Sequence, residues 1–116
     1  MSSNAFFIVD LRREWKGQPY ITFWRPRNAN YAWPLSWAGR YTRDEVENGG
    51  GYYARREGRS LIRFAVPCAA AEKVAVDPDY GMIDGDAGPV VRNTLENRRF
   101  LRRHAINAAN AVDDRL

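Results

Sequence analysis

Residues 5–11 read AFFIVDL, a run of aromatic and β-branched side chains of strand length. Phe7, Val9 and Leu11 fall on one face and Phe6 and Ile8 on the other, which predicts a central strand with both faces covered. Residues 12–19 carry charges, Gly17 and Pro19, and residues 20–24 (YITFW) are again strand-like. A hairpin follows, its loop longer than the tight two-residue kind. Pro26 and the Asn-rich residues 27–30 end the second strand.

Working outward, residues 52–55 and 60–66 read as a second strand pair joined by residues 56–59, where Gly58 supplies the positive φ of a short loop. Ile62, Phe64 and Val66 make its buried face. Thr42 opens T-R-D-E, a capping box in which the Thr42 hydroxyl accepts from the Glu45 amide and the Glu45 side chain reaches back. It predicts a short helix over 43–48, stopped by the glycines at 49–51. Pro67 suits a helix first turn, and residues 68–76 (CAAAEKVAV) read as a short, nearly apolar helix. Residues 77–89, with three Gly, two Pro and four Asp, are a structured loop. Asn93 opens N-T-L-E, a second cap with Glu96 at the third helical position. A final helix over 94–110 would carry one apolar stripe of Leu101, Ala105, Ala108 and Val112. This order predicts a single α+β domain over 1–116: a mainly antiparallel sheet of about four strands, with short helices and a long C-terminal helix on one face.

The chain of 116 residues is long enough to bury roughly two-thirds of its unfolded surface without disulfide or metal. Cys68 is the only cysteine and His104 the only histidine, which leaves no zinc cluster and no intrachain bridge. The first apolar run, 5–9, is too short for a signal segment, so the expectation is a cytoplasmic protein with no membrane span. No cofactor motif occurs, and EF-hand spacing fails from both Asp77 and Asp84.

Sixteen of the eighteen cations are Arg, and charge alternates along the chain, +5 over 1–63, −4 over 64–91 and +3 over 92–116. The Arg surplus fits either recognition surfaces or the coding bias that fifteen Ala also suggest. Arg98 with Arg102 and Arg99 with Arg103 are like-charged pairs at i,i+4, and the expected offset is the loop acids Asp77, Asp79, Asp84 and Asp86. The functional candidate is the aromatic and Arg-rich stretch 23–41. Tyr31, Trp33, Trp37, Arg40 and Tyr41 are its partner-binding residues, and Arg99 and Arg103 form a secondary basic patch. The alternative reading of the tryptophans is core.

The phrases YITFWRP (20–26), YAWPLSWAGRY (31–41) and GMIDGDAGPVV (81–91) resemble a family of small uncharacterised proteins encoded in bacteriophages and prophages. The resemblance implies a phage accessory protein that binds and inhibits a host protein or protein complex, of the anti-defence or anti-CRISPR kind, non-enzymatic and acting in the host cytoplasm. It carries over no site residues. Two other readings stand beside it: nucleic-acid binding through Arg and aromatic surfaces, and a small enzyme using Cys68.

Overall fold

In the computed structural model, residues 5–79, 81 and 88–113 are described. The elements in chain order are β1 (Ala5–Asp10), β2 (Thr22–Trp24), β3 (Tyr31–Ala32), β4 (Tyr41–Thr42), α1 (Arg43–Gly49), β5 (Arg55–Glu57), β6 (Ser60–Pro67), α2 (Cys68–Lys73), α3 (Leu95–Arg103) and β7 (Val112–Asp113), with single 3₁₀ turns between several of them. The sheet runs β3-β2-β1-β6-β5-β7, and β4 also pairs with β1. All pairings are antiparallel except β5 with β7.

The expected sheet of four strands is therefore corrected to a mixed sheet of seven. The β1–β2 hairpin is present; the second hairpin also forms, but its first strand is corrected from 52–55 to Arg55–Glu57, since Gly50–Tyr52 is a 3₁₀ turn, and Gly58 with φ +62° sits in a tight two-residue loop. The added strands β3, β4 and β7 have two residues each, too few to show an alternation in sequence.

The long C-terminal helix is also corrected: α3 has nine residues and ends at Arg103. Alanine-rich sequence beyond it offers no local stop, so the cause is tertiary. The Ile106 amide donates to the Ala65 carbonyl at 2.9 Å. Buried Asn107 accepts from the Ala65 amide and donates to the Tyr53 carbonyl, each at 2.9 Å. These bonds pull the chain across β6, and of the expected stripe only Leu101 is fully buried. The α3 cap is Thr94, which accepts from the Asn97 amide; the side-chain amide of Asn93 instead donates to the Trp15, Lys16 and Gln18 carbonyls and anchors the first hairpin loop. The Thr42–Glu45 capping box of α1 forms in both directions.

Helices on one face alone do not describe the packing. Phe7, Val9, Phe23, Phe64 and Val66 pack under α2, α3 and the Leu35–Ala38 segment. Phe6, Ile8, Trp24 and Ala65 on the opposite face pack under Tyr41, Val46 of α1 and Tyr53. β1 thus lies central and covered on both sides, as its sequence predicts.

Candidate functional site

The pleat that places Phe6 and Ile8 in the second core carries Asp10 to its rim, where it is 1% exposed. A carboxylate held there without partners would be costly, and this one is surrounded by donors. Trp24 Nε1 donates to it at 3.0 Å, Arg12 Nη2 at 2.8 Å and Arg63 Nε at 3.3 Å, while the Arg12 amide and Nε reach the other oxygen at 3.1 and 3.2 Å. The hydrogen bond to Asp10 raises the Arg12 pKa against the opposing effect of burial.

Around this knot the rings interleave with guanidiniums. Arg12 Cζ stands 4.0 Å from the Trp15 ring centre and 4.9 Å from that of Tyr31, and Arg12 Nη2 donates to the Tyr31 hydroxyl at 3.0 Å. Trp15 meets Tyr31 edge to face at 4.8 Å, Tyr31 meets Trp24 at 6.1 Å and Trp24 meets Tyr52 at 5.5 Å. Arg63 Cζ lies 4.8 Å over Trp24. Tyr31 and Tyr52 stay 37% and 53% exposed, so two tyrosines of the lattice are offered to solvent.

The loop that presents Tyr31 is fixed by unusual backbone. Arg27, Asn28 and Asn30 have φ of +55°, +59° and +91°, a region Asn tolerates and Arg disfavours. The cost is offset by side chains: the Tyr53 hydroxyl donates to Asn28 Oδ1 at 2.9 Å, and the Tyr41 hydroxyl accepts from the Asn28 amide at 3.1 Å and donates to the Arg25 carbonyl at 2.5 Å. Gly39 closes the loop, because a Cβ there would stand 2.7 Å from the Pro26 nitrogen.

The residues singled out in sequence are dispersed. Tyr31 lies in the lattice. Trp37 is exposed, with Arg25 Cζ 5.2 Å over its ring, and Arg25 Nε donates to the Tyr31 carbonyl, so this pair adjoins the lattice. Trp33 is half-buried edge-on to Tyr20 and donates to Gln18. Arg40 is exposed, pairs with Glu72 at 3.1 Å and lies over Phe7. Tyr41 is 2% exposed in the core, and burial raises its hydroxyl pKa. Arg99 and Arg103 are exposed on α3, away from the described partners of the lattice. Arg12, Trp15, Tyr52 and Arg63 belong to the site and were missed. The one sequence signal for them is Asp10 itself, a carboxylate in register with Phe6 and Ile8.

Of the loop acids expected to offset α3, Asp79 turns instead to Arg92, ahead of the helix. Asp79 pairs with Arg92 at 3.1 Å, whose hydrogen bond holds the carboxyl below its usual range. Asp84 and Asp86 lie outside the described residues. Cys68 is fully buried, and burial pushes its thiol up to about 11 although Arg40 opposes the shift. Such a thiol is a poor nucleophile at neutral pH. His104 is exposed at the end of α3 with Nδ1 2.9 Å from the Phe100 carbonyl.

No protein-family model matches the chain, and no curated protein or solved structure is significantly similar to it. No helix among the described residues is long and apolar enough to cross a membrane.

Proposed function

We propose that this chain is a non-enzymatic binding protein that captures a host protein through the aromatic and arginine lattice around Asp10, as a phage or prophage accessory protein of the anti-defence or anti-CRISPR kind. The observation that carries the reading is the pair of exposed tyrosines, Tyr31 and Tyr52, packed through Trp24 onto arginines locked by a buried carboxylate. Tyr, Trp and Arg dominate interface hot spots, and rings already ordered lose little freedom on binding. The phage setting and the host cytoplasm come from the resemblance of three sequence phrases.

The test is affinity capture from bacterial lysate, with the wild type and Tyr31→Ala/Tyr52→Ala side by side. Capture of a defined partner by the wild type, lost in a variant whose far-UV spectrum is unchanged, is the expected result. Equal capture by both would sink the reading. If instead a labelled single-stranded oligonucleotide binds at low salt and the same variant loses it, the partner is nucleic acid.

A further inference from the structure

On the opposite face of the same sheet end, a groove of about 610 Å³ opens between the first hairpin loop, the Glu57–Ser60 turn and α3. Its cations are Arg13, Lys16, Arg98 and Arg102, and among the described residues Glu57 is the one carboxylate that lines it. An adjoining hollow of about 350 Å³ shares Ser60 and Arg102 and adds Arg56 and Arg59. Six cations therefore face one carboxylate. Among the described residues none of the six has an ion-pair partner. Arg98 donates to Asn93 Oδ1 at 3.1 Å and Arg102 to the Leu61 carbonyl at 3.0 Å, both neutral acceptors. Leu11, Ile62 and Leu95 give the groove an apolar lining, and Leu95 is 59% exposed.

We propose that this groove docks an acidic segment of a partner protein that carries aliphatic side chains between its carboxylates. The guanidiniums match carboxylates two hydrogen bonds at a time, and the exposed Leu95, seated beside the buried Leu11 and Ile62, gives aliphatic groups a surface to cover. A single-stranded nucleic acid would match the charge alone: its bases need rings to stack on, and among the described residues no aromatic side chain lines either hollow. Burial also lowers the pKa of the Arg98 and Arg102 guanidiniums, with Arg98 adding to the effect on Arg102, so an incoming anion relieves an existing penalty. The proposal rests on the binding reading above for the class of partner, and goes beyond it in place and chemistry.

The test is fluorescence anisotropy on the full chain with three labelled probes: a peptide alternating Glu or Asp with Leu, the same peptide with Ser for Leu, and an oligothymidylate of similar charge. The Leu peptide should bind at low salt and weaken about tenfold or more when salt reaches physiological strength and beyond. The Ser peptide should bind several-fold more weakly. Arg13→Gln/Lys16→Gln, both exposed on the hairpin loop, should reduce affinity about tenfold, and Arg59→Gln gives an independent surface variant. Tyr31→Ala/Tyr52→Ala should leave peptide affinity unchanged, so loss of host capture and loss of peptide binding report on different faces. Absence of peptide binding at low salt, tighter binding of the oligothymidylate, equal binding of the two peptides, or undiminished binding by the groove variants would each overturn the proposal.

Discussion

Two clusters at one end of the sheet use the same residue in opposite ways. Around Asp10, Arg12 and Arg63 share a buried carboxylate and lie against Trp15, Tyr31 and Trp24. Across the sheet, Arg98 and Arg102 are also partly withdrawn from water, yet the bonds described for their guanidiniums go to an amide and a carbonyl oxygen. The pleat makes the division. Asp10 and Arg63 point to one side, while Ile62 of β6 and Leu11, just past the end of β1, line the other. An arginine on the first side meets a carboxylate and becomes part of the framework. On the second side, among the described residues, Arg98 and Arg102 meet only neutral acceptors. Arginine abundance by itself therefore says little about which guanidiniums are framework; the face on which the nearest described acid lies separates Arg12 and Arg63 from Arg98 and Arg102.

The comparison breaks most visibly at Asp10. Asp10→Ala should cost about 3–5 kcal/mol in urea unfolding, because it leaves two partly buried guanidiniums and the Trp24 N–H without their acceptor. A loss below about 1 kcal/mol would show that the lattice holds without its carboxylate and that the two clusters do not differ as described. Trp24→Phe keeps most of the ring and removes one hydrogen bond to the carboxylate, so about 1.5–3 kcal/mol is expected from the same measurement.

The Asp10 cluster was hard to read in the sequence because its members are brought together by strand pairing rather than by spacing. Asp10 and Arg63 are cross-strand partners in β1 and β6, and Tyr31 arrives through the pairing of β2 with β3. The strands themselves were legible where they were long enough to alternate, as in β1 and β6, and the α1 capping box was legible because all its partners lie within four residues. Local signals misled at α3. Its alanine-rich continuation favours helix, and the bonds of Ile106 and Asn107 to β6, more than forty residues away in sequence, override it. Tyr31 and Trp37 are legible because they lie in one ring-rich stretch; the groove is not, since its cations come from three separate segments.

On the groove side the expected effects are smaller and of the other sign. Arg98→Met removes a partly buried cation whose described partner is neutral, and keeps the aliphatic stem that packs against the lining. Stability should stay level or rise by up to about 1 kcal/mol in the urea experiment. A loss of about 2 kcal/mol or more would mean that Arg98 is framework, like Arg12, and would erase the contrast.

The smallest effect isolates the unspent charge. Arg13→Gln/Lys16→Gln should change stability by less than about 0.5 kcal/mol at moderate salt, since both side chains are exposed and have no ion-pair partner among the described residues. The informative measurement is the salt dependence. Like charges around the groove repel one another, and the screening length shrinks from about 10 Å at 0.1 M salt to about 3 Å at 1 M. Added sodium chloride should therefore raise the wild-type melting temperature slightly and raise that of the variant less. The lattice should add little to this salt dependence, because screening weakens Arg12 and Arg63 against Asp10 only where water reaches them, and Asp10 is buried. A wild type that loses stability as salt rises would place its dominant surface electrostatics in attractive pairs, and the groove would then have no surplus to offer an acidic partner.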